Sequence, residues 1–292
     1  MKTNIDKFMW IKVLLHYLVI CFLIKIFDFY FMNILNCSNY ILNSNFIQLV
    51  LTEDIRWIYI EITPMIIPIV VVLAYCHFIL NKSVGTLGFK KKRGVIFELK
   101  GIGLGGILFS FCMIAVILSG SVKFDGISNT ADFGLLIVYF AGFLIQGLEE
   151  ELLYRGFLFG QLNEKTQTWI AVLISSIVFS WSHHNNVGFS FLPFFNLFVW
   201  GLITALLYIK SKNIWLVAGF HSAWNFAQGN IWGISVSGND FDCTLFESIA
   251  VTDKNIFNGG TFGIEGSIIV SLILVLFVIG WIMKNKDDIK KN

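Results

Sequence analysis

Long apolar runs, separated by short polar or charged stretches, extend from one end of the chain to the other. A helix that crosses a bilayer needs about 20 predominantly apolar residues, and most of these runs approach or exceed that length. The predicted spans are Phe8–Leu35, Trp57–Leu80, Ile102–Ser119, Phe133–Leu162, Trp169–His183, Phe191–Ile209, Ile214–Trp232 and Ser267–Met283. The predicted fold class is therefore all-α, a polytopic membrane protein with about eight transmembrane helices.

The composition agrees with this class. Of the 292 residues, 56% are hydrophobic and only 14% are charged, whereas a soluble domain has about 25% charged residues. The net charge of +2 is too small to indicate a nucleic-acid partner, and the basic residues lie in short loops. We expect the lipid bilayer to be one partner of this protein and nucleic acid not to be one.

Lys and Arg cluster on one side of the predicted bundle. The loop after the second span and the later loops of the same parity hold Lys82, Lys90, Lys91, Lys92, Arg93, Lys100, Lys165, Lys210 and Lys212. Cytoplasmic loops carry the excess of Lys and Arg, so this side is predicted to be cytoplasmic. The longest opposite segment, 233–266, is acidic. The first apolar run is too long for a signal-peptide core and predicts a retained helix. With an even number of spans and the Lys- and Arg-rich side inside, both termini are predicted to be cytoplasmic.

The fourth predicted span contains three adjacent glutamates and an arginine, in the run EEELLYR at 149–155. Glu151 and Arg155 are four residues apart and can form an i,i+4 ion pair. Glu150 projects about 100° away around the helix, so it has no local counter-charge and is a candidate proton acceptor. Ionisable residues inside a membrane are costly and usually serve a function; the alternative is that these acids extend to the water at a helix end.

Two further spans carry imidazoles at corresponding depths. The fifth ends in His183 and His184, with Phe179 four residues before His183. In the seventh, His221 and Asn225 are four residues apart and share one helical face. With a rise of about 1.5 Å per residue, Glu150, His183 and His221 fall in one layer of the membrane. The polar residues are therefore predicted to line a single cavity between helices.

Two other patterns predict structure rather than chemistry. The run GIGLGG at 101–106 fits a nucleotide-binding fingerprint in form, but it opens a membrane span and indicates close helix packing by small residues. The five cysteines show no metal-binding spacing, and Cys21, Cys76 and Cys112 lie in apolar runs as small hydrophobic residues. Cys37 and Cys243 lie outside the apolar centres of the spans, and whether they pair is left open.

The polar residues form three ordered motifs: EELLYR at 150–155, FSWSH at 179–183 and HSAWN at 221–225. They resemble EExxxR, FxxxH and HxxxN, the marks of the CAAX prenyl protease and bacteriocin-processing (CPBP, or Abi) family of intramembrane proteases. The likeness covers roughly residues 133–281 and is closest to the bacterial branch. It implies a type II CAAX protease-like helical bundle in a bacterial plasma membrane. It also implies a division into N-terminal helices with a basic loop (1–132), a catalytic core (133–283) and a charged tail (284–292).

The resemblance also implies a role for each motif residue. Glu150 with His183 would activate a water molecule for attack on a peptide carbonyl. His221 and Asn225 would stabilise the oxyanion, while Glu151 and Arg155 would hold the geometry. The implied substrate is a peptide or protein in or at the membrane.

Three alternatives stay open at this point. Glu150, His183 and His221 are also ligand types of a catalytic zinc site, although no ligand pair lies on one helix as in HExxH; we expect a metal-free reaction without a cofactor. A non-catalytic immunity or peptide-binding membrane protein would keep the same fold. A transporter would use the buried acids as a proton relay, but repeat symmetry is missing from the sequence.

Overall fold

Long helices make up most of the described chain. The computed structural model describes residues 9–42, 63–90 and 92–285, with the side chains of 34–42 left out of the description. The long helices are α1 (Met9–Leu42), α2 (Thr63–Ala74, extended by Tyr75–Ile79), α3 (Gly94–Leu118), α4 (Phe133–Glu151, extended by Leu152–Phe159 and Gly160–Lys165), α5 (Thr168–Ser182), α6 (Phe191–Ser211), α7 (Ile214–Phe226, extended by Ala227–Ile231) and α8 (Ile268–Lys284). Each overlaps one predicted span, which confirms the all-α prediction. The predicted starts at Phe8 and Trp57 lie outside the described residues.

The outer surface of the bundle is apolar, as lipid contact requires. Within the described residues, four helical stretches are long and apolar enough to cross a membrane: Met9–Asn33, Gly94–Leu118, Phe133–Lys165 and Phe191–Ser211. Large side chains on their outward faces are exposed, among them Ile107, Phe111 and Leu118 of α3. Exposed apolar surface on this scale would be unfavourable in water, whereas hydrocarbon solvates it. The chain is a multi-pass membrane protein.

Glycines allow two helices to approach α7 closely. A Cβ at Gly101 or Gly105 of α3 would collide with a backbone carbonyl oxygen of α7, that of Leu216 or Phe220. This confirms the packing role predicted for the GIGLGG run. On α4, a Cβ at Gly147 would collide with α7 in the same way. Helix α7 therefore lies against both α3 and α4, and its polar face is brought to the middle of α4.

Helix α4 changes its winding next to its charged residues. The segment Leu152–Phe159 is π-helical and fully buried, and it contains Arg155. A second π-helical segment, Ala227–Ile231, follows directly after the first part of α7. Such segments frequently occur at functional sites because they turn side chains away from the regular helical register.

The acidic segment between α7 and α8 is folded rather than a simple loop, which the sequence did not predict. Strand β1 (Val122–Ile127) pairs antiparallel with β2 (Phe246–Ala250), with an irregularity between Phe124 and Gly126. Gly126 has φ +95°, a conformation that glycine adopts readily at a bulge. Part of this segment packs back onto α7 and contributes to the cavity described below.

The cysteine environments follow the prediction for three of the five. Cys76 and Cys112 are buried and Cys21 is half-buried, and all three are free thiols within spans. Cys243 is also free and buried, with Sγ 3.6 Å from the carbonyl oxygen of Asp132. The side chain of Cys37 lies outside the described residues.

Candidate active site

The four predicted catalytic residues line one cavity. It has a volume of about 560 Å³ and lies between α4, α5, α6, α7 and the segment that follows α7. Glu150, His183, His221 and Asn225 all form part of its wall. The prediction that the three motifs share one cavity is confirmed, while the chemical role of each residue stays a prediction.

Glu151 is the centre of a buried polar cluster beside this wall. Its Oε1 accepts hydrogen bonds from Arg155 Nη1 and from His221 Nδ1, each at 3.0 Å. The predicted Glu151–Arg155 pair is thus present, and the contact with His221 is an addition to it. All three side chains are at most 5% exposed. A charge so deeply buried is tolerated only when it is paired and hydrogen-bonded, and the cluster supplies both conditions.

The contacts of both imidazoles define which ring nitrogen is available for chemistry. Nδ1 of His221 contacts a carboxylate oxygen, and Nδ1 of His183 lies 3.0 Å from the carbonyl oxygen of Phe179. Because these oxygens accept hydrogen bonds, each Nδ1 carries a proton. Nε2 of each ring is then left for a substrate or a water molecule.

The contacts of Phe179 show why the second motif begins with an aromatic residue. Its ring stacks on Trp200 with a centroid distance of 5.2 Å and an interplanar angle of 19°. The guanidinium carbon of Arg155 lies 4.5 Å from the centre of the same ring, a cation–π contact. His183 packs edge-on against Phe179 at 5.0 Å. One aromatic ring therefore connects the arginine of the first motif to the histidine of the second.

Gln146 connects the first and third motifs, and the sequence analysis missed it. Its Oε1 accepts a hydrogen bond from Asn225 Nδ2 at 3.1 Å, and its Nε2 donates to Glu150 Oε1 at 3.3 Å. Gln146 precedes Glu150 by four residues, so the i,i+4 rule that identifies the Glu151–Arg155 pair could have found it. The amide holds Glu150 and Asn225 on the same side of the cavity.

Glu265 is a second cavity residue that the sequence did not indicate. Its side chain is 6% exposed. One oxygen accepts from Trp224 Nε1 at 3.1 Å, and the other from Ser237 N at 2.9 Å and Ser237 Oγ at 2.7 Å. These bonds attach the segment after α7 to the residue next to Asn225. Glu149 and Tyr154 also form part of the wall.

His184 is turned away from the cavity, as the FxxxH register predicts. The residue is exposed, its ring stacks on Trp181 at 5.4 Å, and its Nδ1 lies 3.0 Å from the Trp181 carbonyl oxygen. Of these two adjacent histidines, His183 lines the cavity and His184 does not.

The metal-free reaction stays a prediction, and the geometry of the possible zinc ligands bears on it. Glu150, His183 and His221 are suitable ligand types. Over the described ranges, however, no three His, Cys, Asp or Glu side chains come close enough together to hold a metal ion. We therefore derive no step through a metal.

The fold and the site together describe a polytopic membrane protein with carboxylate and imidazole side chains around a cavity between its helices. Residues 132–227 match the family model described as type II CAAX prenyl endopeptidase Rce1-like. The matched region contains all six predicted site residues, and the match confirms the resemblance to the CPBP family. The family's description is that of a CAAX-type endopeptidase, so the match supports this class of activity at the level of the family. A comparison with curated proteins gives no match.

Proposed function

We propose that this chain is an intramembrane endopeptidase that hydrolyses a peptide bond of a membrane-associated peptide or protein. The observation that carries the proposal is the convergence of Glu150, His183, His221 and Asn225 on one cavity in a chain with an Rce1-like domain. The proposed division into N-terminal helices (1–132), catalytic core (133–283) and tail (284–292) places every one of these residues in the core.

The first step in the proposed reaction is the activation of water. The Glu150 carboxylate accepts a proton from a water molecule, while Nε2 of His183 accepts a second hydrogen bond from the same water and orients it. The water oxygen then attacks the carbonyl carbon of the scissile peptide bond. The proton held by Glu150 passes to the leaving amine nitrogen, so the bond to nitrogen breaks with a neutral amine as product.

The second requirement is stabilisation of the oxyanion that forms on the carbonyl oxygen. The Asn225 amide has two N–H groups, of which one is bound to Gln146, and the other is free to donate. Nε2 of His221 can act as the second donor when the ring carries a proton on both nitrogens, and Glu151 holds the ring orientation by accepting from Nδ1 at 3.0 Å. Donors preorganised in a site shielded from bulk water stabilise a developing charge more strongly than water does.

We also propose that the protein lies in the plasma membrane with both termini cytoplasmic. Lys82 pairs with Glu164 at the end of the bundle opposite to Asp240 and Asp242, which are exposed and line the cavity. If the lysine-rich end is cytoplasmic, the cavity opens on the other side. Single cysteines at position 242 and position 92 test this: an impermeant maleimide added to intact cells should label only the first. Labelling of position 92 alone would reverse the orientation.

The catalytic proposal is tested with purified protein in lipid nanodiscs and a library of peptides anchored by one apolar segment. We expect the wild type to release products that His183→Ala does not release. A wild type that binds the peptides and cleaves none of them would instead be the non-catalytic immunity or peptide-binding protein.

A further inference from the structure

Acidic side chains outnumber basic side chains in the wall of the cavity. Among the residues that the structure describes, five carboxylates line it: Glu149, Glu150, Asp240, Asp242 and Glu265. The same wall contains two histidines, His183 and His221, and no described Lys or Arg. The nearby cation Arg155 is already paired with Glu151, and Lys82 is paired with Glu164 at the other end of the bundle.

Three of these five carboxylates are at least partly withdrawn from water. Glu265 is nine-tenths buried and Glu149 and Glu150 are half-buried, whereas Asp240 and Asp242 are exposed at the mouth. Carboxylates withdrawn from water without a counter-charge carry a desolvation cost that a cation inside the cavity offsets. A concave wall of one sign of charge also concentrates ligands of the opposite sign.

Aromatic side chains accompany the two carboxylates at the mouth. Phe241, which lies between Asp240 and Asp242 in the sequence, packs against Tyr139 at 5.7 Å and Phe143 at 5.3 Å. All three aromatic residues line the cavity. Aromatic faces next to carboxylates suit a long side chain with an apolar stem and a cationic head, which is the shape of Lys and Arg.

Trp200 provides an observation that is independent of the carboxylates. It lines the wall, is only 3% exposed, and its Nε1 has no hydrogen-bond partner. A buried N–H without a partner is costly, and a backbone carbonyl of a bound peptide is a suitable acceptor for it. The wall thus combines an N–H donor, which suits a peptide carbonyl, with carboxyl groups, which suit a cationic side chain.

We propose that the cavity selects peptide segments with a Lys or Arg side chain close to the scissile bond. The cationic head contacts the carboxylates at the mouth, its stem lies on the aromatic residues around Phe241, and the backbone reaches Trp200. This inference rests on the proposed function for its substrate class, because it assumes that the ligand of the cavity is a peptide.

Cleavage of a randomised library tests this selection. Peptides with one apolar anchor and a random extramembrane segment are incubated with the wild type in nanodiscs, and cut sites are mapped by mass spectrometry. We expect Lys and Arg near the cut to be enriched roughly ten-fold over Asp and Glu. The double variant D240N/D242N should lose most of this enrichment. The control E247Q/D253N removes two charges that do not line the cavity and should keep it. Cleavage without any charge preference would overturn the inference and leave the proposed function standing.

A binding measurement separates the inference from the reaction. His183→Ala keeps all five carboxylates, so labelled peptides that differ only by Lys, Gln or Glu at one position can be titrated onto it. We expect the Lys peptide to bind roughly ten-fold more tightly than the Gln peptide, and the advantage to shrink as salt is added. Equal affinities would contradict the inference. A clear preference combined with no cleavage by the wild type would support the inference and contradict the proposed function.

Discussion

Glu151 on α4 accepts a hydrogen bond at 3.0 Å from His221, which lies 70 residues further along the chain on α7. The same carboxylate oxygen holds Arg155. One acid thus fixes the ring orientation of His221 and neutralises the arginine that packs on Phe179. Glu151 does not itself belong to the cavity wall, so we assign it a positioning role.

Glu151→Gln should destabilise the protein as well as reduce its activity. The substitution leaves Arg155 buried without its counter-charge, which costs about 3–5 kcal/mol in comparable pairs. The free energy of unfolding, measured by denaturation in mixed micelles, should fall by that order. The matched control is Glu164→Gln, which breaks the partly exposed pair with Lys82 and should cost about 1 kcal/mol or less. Equal stability of the two variants would contradict the role given to Glu151.

Gly147→Ala should separate α4 from α7. The added Cβ would collide with Ser222 and the carbonyl oxygen of Ala218, one turn before the Glu151–His221 contact. Overpacking of this kind typically costs about 1–3 kcal/mol, and we expect peptide cleavage to fall with it. Gly106→Ala is the control, because a Cβ there meets no atom within 4 Å. A Gly147→Ala variant as active and stable as Gly106→Ala would show that close approach is not required.

Gln146→Leu should lower activity without unfolding the protein. It removes the amide between Glu150 and Asn225 and keeps a side chain of similar size. Hydrogen-bonding partners that orient metal ligands typically contribute about 10- to 100-fold, and we expect kcat to fall by a similar factor here. Gln146→Glu should not restore it, since a carboxylate cannot donate to Glu150. If kcat stayed at the wild-type value while KM rose, Gln146 would act on binding instead.

Hydropathy made most of the fold predictable, because whether a residue prefers lipid is a local property. Each predicted span overlaps a helix. The small residues of the GIGLGG run predicted close helix packing, and Gly101 and Gly105 show it against α7. The i,i+4 rule predicted the Glu151–Arg155 pair for the same reason, since both partners lie on one helix.

Contacts between helices could not be predicted in the same way. No local pattern states that Glu151 meets His221, because that contact depends on how α4 and α7 pack at Gly147. The acidic composition of 233–266 predicts a solvated loop, whereas Glu265 is buried by its bonds to Trp224 and Ser237. Trp200 lies in an apolar run that reads only as membrane helix, so its place in the cavity wall also needed the fold.

The proposed reaction should not require a metal. We expect purified protein to contain less than one equivalent of zinc and to keep its peptidase activity after exhaustive chelation. The ligand types of Glu150, His183 and His221 make zinc the relevant metal to measure. Loss of activity on chelation, reversed by one particular metal and not by others, would favour the zinc-dependent protease and require the side chains to rearrange around the ion.

The most direct test of the account is hydrolysis of an anchored peptide in water labelled with heavy oxygen. Attack by a water molecule that Glu150 activates places solvent oxygen in the new C-terminal carboxylate, which mass spectrometry of the product detects. We predict this label in the wild-type product, no product from Glu150→Gln, and full activity in Glu164→Gln as the folded control. Undiminished cleavage by a correctly inserted Glu150→Gln variant would contradict the central claim that this carboxylate drives the reaction.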